Sequence, residues 1–450
     1  MTAPSASGPR CPRPPSAHPY DYAYRPGSAL RPPPPRLRRD PSWAALSVFD
    51  AWRPAQPSAR QHALLELFID HYWQGDALMD AVVERFRTLG MRTGRRLLDQ
   101  ALDEGIESLT APPAELVALF ASLDRPPHWH DPVIWERGRR LWIDCSLAGK
   151  VGMGIQDAIG TFVGEEVSSA TGATKRFVNA PLVRNLETAQ WFHAATKPGF
   201  LHRHSREFKD TVRVRLMHSQ VRLGLRRSWG DEHFSRHGNP ISTSTTLGAA
   251  VTFALLPMLT DHNHGRRART EDMDAVMRYW AYIAYVFGVA PEIIPTTAAD
   301  GILLADYMVA TAGGPTAGTT MMTRAAADNL AAVPGTVGLL ARAAVAPVLG
   351  AVAYYSGAPL ARALVSATPY RDVPLQPWTT LTGLAVHACV KYRMVLDKLP
   401  GAALRRSLRA RHSDPWWALN VQITRILARR SGVGHTGYRH HDATAGCPVH

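Results

Sequence analysis

Cysteine is scarce in this sequence. The four residues Cys11, Cys145, Cys389 and Cys447 stand far apart with no paired spacing, which argues against both a disulfide framework and a regular cysteine zinc site. Cys145 and Cys389 lie in apolar surroundings and read as small buried hydrophobes, while Cys11 and Cys447 lie in the tails. Period-two alternation of apolar residues is sparse, so little of the chain reads as strand. Internal repeats, a G-x-G-x-x-G fingerprint and a P-loop are all missing. The N-terminus has no apolar core, and Arg38-Arg39 is followed by Asp40-Pro41 and a short apolar run broken by Asp50. These features argue against a secretory or twin-arginine leader. The expected location is cytoplasmic, with peripheral membrane contact through basic tails as a further expectation.

Acidic residues are few at both ends. Of a net charge of +14, residues 1–41 supply seven Arg against two Asp and residues 401–450 eight Arg against two Asp. The middle is therefore near neutral, and no DNA-binding motif accompanies the charge, so no nucleic-acid partner is expected.

What is present is helical pattern. Amphipathic spacing runs through residues 59–74, 76–90 and 93–104, then Thr110–Leu123 and Val133–Ala148. Residues 149–183 are rich in Gly, Ala and Thr and read as short helices with loops. The run Ile241–Thr260 is nearly free of charge over twenty residues, long enough for a membrane span, but Pro257 and the Ser/Thr start favour a buried core helix. Arg269–Gly288, Ala298–Thr311, Trp378–Lys398 and Asp414–Arg430 continue the pattern. The expectation is an all-α protein with a single large helical domain over residues 43–432. Residues 1–42, with twelve prolines in the first 41, read as a disordered Pro/Arg-rich tail, and residues 433–450 as a flexible tail.

The chemistry-bearing stretch is Arg184–Arg227. It holds R-N-L-E-T at 184–188 and Arg215-x-x-His218-x-x-x-Arg222. On a helix, spacings of three and four put Arg215, His218 and Arg222 on one face, beside an apolar stripe of Val214, Met217, Val221 and Leu225. A lone histidine on a helix is more often a satisfied polar residue than a ligand, and the alternation Val212, Val214, Leu216 also permits a strand. A histidine between two arginines nevertheless suits an iron porphyrin, with imidazole on the metal and guanidiniums on the propionates.

Several ordered blocks carry a resemblance. The R-x-x-E-T block, V-R-L-x-H-x-x-x-R, Gly238-Asn239-Pro240-Ile241 before a Ser/Thr-rich helix start, and the P-x-W-x-D pattern at 127–131 are similar to the latex-clearing protein/rubber oxygenase superfamily with its mpaB-type members. The similarity runs over about residues 126–295. The resemblance implies an all-α oxygenase carrying haem b, in which His218 is the axial metal ligand and Arg215 and Arg222 anchor the propionates. It implies distal roles for Arg184, Glu187 and Thr188, and O2-dependent cleavage or oxygenation of a carbon–carbon double bond in a hydrophobic, isoprenoid-type substrate. Glu187 departs from the lysine expected in polyisoprene-cleaving members and cannot mimic that cation, which points away from bulk rubber. Glu165-Glu166 is a loosely aligned candidate base.

Three other readings remain open. One is a non-catalytic haem-binding protein. Another is a non-haem metal protein using the pairs His128/His130, His202/His204 and His262/His264, although nineteen histidines produce some such pairs by composition alone. The last is a helical interaction protein without a cofactor.

Overall fold

The computed structural model describes residues 29–38, 47–49, 52–53, 56–175 and 181–430. Caps written in the sequence set many of the helix starts. Ser58 and Gln61 form a reciprocal capping box at the first helix, and the side chains of Asp76, Asp131, Ser146, Ser205, Ser242 and Thr297 each accept a free amide of a following helix. The helices are α1 (Ala59–Asp70), α2 (Ala77–Leu89), α3 (Met91–Glu104), α4 (Ala114–Leu123), α5 (Pro132–Ile143), α6 (Leu147–Val163) and α7 (Glu165–Thr174). Next come α8 (Pro181–Ala195), α9 (Arg206–His237), α10 (Thr243–Asn263), α11 (Thr270–Val286), α12 (Ala298–Ala310) and α13 (Ala317–Ala331). The C-terminal part holds α14 (Gly335–Ala343), α15 (Val345–Ser356), α16 (Ala358–Val365), α17 (Gln376–Lys398), α18 (Ala402–Ala410) and α19 (Pro415–Arg430). No strand occurs among the described residues, so the all-α expectation holds.

The core is built around α10 and α11. α11 packs along α5 and α10, and α10 along α6 and α12. Large rings fill the junction, with Trp280 edge-on to Trp142 at 5.2 Å between centroids and Tyr279 tilted against Trp135 at 5.2 Å. Two helical stretches, Thr243–Asn263 and Gly335–Ser356, are long and apolar enough to cross a membrane. The first is 72% buried inside the fold, as the core reading of that run expects, whereas the second is only 28% buried. α17 to α19 are tied to the core by polar contacts: Lys150 pairs with Asp414, Arg393 with Asp144, and Arg139 donates to the Ala410 carbonyl at 2.7 Å.

Three local expectations change. The Gly/Ala/Thr-rich stretch after residue 149 forms most of α6 and all of α7 instead of short helices with loops. The helix expected over Val133–Ala148 breaks at Asp144–Ser146, because Ser146 caps α6 and its N–H and hydroxyl both bind Asp261. Residues 29–38 of the expected disordered tail lie against the domain. Prolines offer carbonyls without competing amides, and Trp73 Nε1 donates to Pro32 O at 2.8 Å. The Arg31 N–H donates to Asp70 Oδ1 at 2.7 Å, and Leu37 is buried. The remainder of that tail, at 1–28 and 39–42, and the tail expected over 433–450 lie outside the described residues.

Candidate active site

His218 sits in the middle of α9, which is helical and not a strand. One side of α9 packs Phe208, Val212, Leu216 and Leu223 into the main core, and another presses Val221 and Leu225 against Ala170 of α7. Between these contacts His218 borders a cavity of about 730 Å³ enclosed by α3 and α6–α11, within the range of roughly 300–1,000 Å³ common for small-molecule sites. The cavity wall beside it is apolar, with Val214, Met217, Val221, Phe253 and Phe287. The imidazole lies nearly parallel to the Phe287 ring, 5.9 Å between centroids. Among the described residues its ring makes no hydrogen bond, and part of its surface stays open to the cavity. Burial, reinforced by the Arg222 and Arg184 guanidiniums and opposed by Asp76, pushes its pKa down to about 4. At neutral pH it is therefore a neutral imidazole, the form that ligates a metal.

Arg215 and Arg222 do not line this cavity. Arg215 is held in a two-point pair with Asp76, its Nη2 2.8 Å from Asp76 Oδ1. Arg222 is held by Asp80 and Ser219 and donates to the Ile241 carbonyl at 2.9 Å. Together with His218 they border a separate void of only about 10 Å³. Two glycines allow these guanidiniums to approach the backbone. A Cβ on Gly75 would stand 2.6 Å from Arg222 Nε, and one on Gly288, where φ is +89°, 2.1 Å from Asp76 Oδ2. The carbonyl that Arg222 holds belongs to a β-branched residue at φ +49°, so the Gly-Asn-Pro-Ile link is strained where it turns into α10.

Arg184, Glu187 and Thr188 all reach the large cavity from α8. Arg184 donates to the Thr188 hydroxyl, which in turn donates to the Arg184 carbonyl at 3.1 Å. Glu187 is buried at 2% exposure. α8 is backed by α19, where Phe192 stacks on Trp417 at 4.8 Å. These positions therefore rest on a packed helix instead of a loop.

The sequence reading passed over other groups. Asp157 of α6 borders the cavity, and burial, eased by Arg184, raises its pKa to about 6. Arg213 of α9 also lines the cavity, bonding Asp99 at 2.7 Å and Asp210 at 2.9 Å, but its Nη2 has no hydrogen-bond partner. Neither stood out because α6 is too rich in Gly and Ala to show a polar stripe, and Arg213 precedes the matched block. The three H-x-H pairs do not assemble a metal site among the described residues. His130 stacks on Tyr282, His262 accepts from the Ala268 N–H, and His264 bonds Thr260 O and Tyr354. A different group, Glu166 with His233 and His237, brings metal-type ligands together. The signal for it was the i, i+4 histidine pair.

Residues 149–387 match the family described as ER-bound oxygenase mpaB/B'/Rubber oxygenase, catalytic domain. The match starts later and runs further than the motif blocks at 126–295, reaching into α17. Among solved structures the fold is similar to that of latex clearing protein LCP in the closed state, with a TM-score of 0.53 and 18% identity over 77% of this chain and 89% of that chain. No curated protein matches the chain. Matched over more than half of its length, the chain belongs to the ER-bound oxygenase mpaB/B'/rubber oxygenase catalytic-domain family, and its helical domain is a rubber-oxygenase-like catalytic domain of oxidoreductase type.

Proposed function

We propose that the large cavity holds haem b with His218 as its protein ligand, and that the protein oxygenates an unsaturated, isoprenoid-type substrate with O2. The observation that carries this reading is an imidazole that makes no hydrogen bond among the described residues, on the wall of a cavity of about 730 Å³. The apolar wall suits the faces of a macrocycle. Arg213, which lines the cavity and whose Nη2 has no hydrogen-bond partner among the described residues, is better placed to anchor a propionate than Arg215 or Arg222, which do not line it. Those two arginines act as positioning residues that fix the backbone and the ring behind His218.

Bound haem supplies the redox chemistry for O2, and the chain supplies the surroundings. Trp191, Phe253 and the aliphatic wall keep water from the reacting groups and receive a hydrocarbon substrate. Thr188, oriented by Arg184, presents a hydroxyl to the cavity. Asp157 holds or releases a proton near neutral pH, the condition for acid–base work. Glu187 places a carboxylate where a lysine is expected in polyisoprene-cleaving members, which favours a small isoprenoid over bulk polymer. The test is O2 uptake by haem-loaded protein with unsaturated isoprenoids, with products read by mass spectrometry. The expected result is substrate-dependent uptake and new carbonyl or oxygenated products. No uptake above the haem-free control across a panel of such substrates would favour the non-catalytic haem-binding reading.

Peripheral membrane contact is supported by exposed apolar residues on two helices. Val337, Leu339 and Leu340 of α14 are 55–67% exposed, and α18 exposes Leu404 and Leu408 beside Arg405 and Arg409. Apolar side chains among arginines suit an anionic lipid surface. These exposed residues of α14 and α18, and not the basic tails alone, carry that proposal.

A further inference from the structure

A second constellation lies where α7 meets the end of α9, away from His218. Glu166 stands in the first turn of α7. His233 and His237 lie one turn apart on the last stretch of α9, beyond the kink at Gly230, where φ is +75°. One ligand-type atom from each lies within 4.8 Å of the others. Glu166 Oε2 is 4.0 Å from His233 Nε2 and 4.0 Å from His237 Nδ1, and Glu165 Oε1 is 3.5 Å from His237 Nδ1. The two imidazoles are parallel, 4.1 Å between centroids.

Among the described residues these atoms have no hydrogen-bond partner. Both Glu166 oxygens, His233 Nε2 and His237 Nδ1 are buried without a hydrogen bond, and the Glu166 side chain is 5% exposed. Leaving a buried polar group unsatisfied is destabilising, so several such atoms at one point call for a shared occupant. Arg36 forms a buried ion pair with Glu166 but makes no hydrogen bond to it. Its Nε stands 3.8 Å from Glu166 Oε2, beyond hydrogen-bond reach, and donates to the His237 carbonyl at 2.9 Å instead.

We propose that Glu166, His233 and His237 bind a divalent transition-metal ion, Zn2+ by donor type, at a site separate from that of His218. Imidazole nitrogens and carboxylate oxygens are zinc ligands, whereas Mg2+ keeps oxygen and water around it. Bonds of about 2.0–2.1 Å in a tetrahedron put neighbouring ligand atoms roughly 3.3 Å apart. The two 4.0 Å spacings from Glu166 Oε2 are a sub-ångström approach away from that, and all three ligand atoms lie within 4.8 Å of one another. His233 and Glu165 are 23% and 31% exposed in their side chains, giving the ion a route in from solvent. Glu166 also borders the large cavity, so the ion ties the end of α9 to the cavity wall. This inference does not rest on haem binding.

The test uses the full-length protein after chelator treatment, titrated with Zn2+ by calorimetry in excess Mg2+. The parent is compared with a His233→Ala/His237→Ala double variant and with Glu166→Gln. The expected result is one tight equivalent in the parent and none in either variant, with the haem absorption spectrum of the double variant unchanged. Should the variants fail to fold, the parent alone decides: Zn2+ raises its Tm and chelator reverses the rise. Absence of a saturable equivalent in the parent, no Zn2+-dependent rise in Tm, or retention of the equivalent in the double variant overturns the proposal.

Discussion

Asp157 and His218 face the same cavity and titrate with opposite consequences. Asp157 is raised to about 6 from the ordinary carboxylate value of 3.8. The folded state therefore prefers it protonated, and the stability linked to that preference is lost as pH rises from 3.8 through 6. Asp157→Asn in haem-free protein is expected to raise Tm above the parent at pH 7–8 and not at pH 4. A Tm difference independent of pH contradicts the assignment. His218 is depressed to about 4 from 6.5, so its share of stability is present above 6.5 and lost as pH falls through 4. Asp76 matters for another reason. It caps α2, accepting from the Met79 N–H at 3.1 Å, and neutralises Arg215. Asp76→Ala leaves a buried guanidinium unpaired and is expected to cost about 3–5 kcal/mol, read from the midpoint of denaturant unfolding. A loss below about 1 kcal/mol would mean that the Arg215 charge finds water or another partner.

At the scale of elements, the link between α11 and α12 approaches the base of α2. Gly288 permits this by combining φ +89° with a Cβ position 2.1 Å from Asp76 Oδ2. Gly90 has φ +85° but nothing within 4 Å of its Cβ position. Both carry a positive-φ penalty on substitution by alanine, but Gly288→Ala must also displace the Asp76–Arg215 pair. It is therefore expected to lower the unfolding midpoint further than Gly90→Ala, and equal losses contradict this account. The same contrast shows what the sequence could disclose. The shared face of Arg215, His218 and Arg222 was legible because helical spacing is local. Their pairing with Asp76 and Asp80 was not, since those partners lie on α2, far away in sequence. α6 was misread because its Gly, Ala and Thr residues give no apolar stripe, which hid Asp157. The packing of residues 29–38 was hidden because it depends on carbonyl acceptors, which composition does not display.

Over the whole molecule, the buried and exposed apolar stretches part company. The run at Thr243–Asn263 is a core helix, while Gly335–Ser356 is only 28% buried, with Val337, Leu339 and Leu340 exposed. Anionic vesicles are expected to sediment the parent and to release it at high salt, and Leu339→Glu with Leu340→Glu is expected to abolish sedimentation. Equal sedimentation of parent and variant contradicts the assignment of α14 to the lipid surface. The fold as a whole was legible as all-α because helical periodicity recurs along the chain and several segments carry their own capping side chain, and the family match extends that reading over residues 149–387. The central claim concerns what His218 does inside the cavity. Its most direct test is the absorption spectrum of the haem-loaded protein, oxidised and dithionite-reduced, beside the His218→Ala variant. The account predicts a haem spectrum in the parent and its loss or marked change in the variant; an unchanged haem content and spectrum in the variant would contradict it.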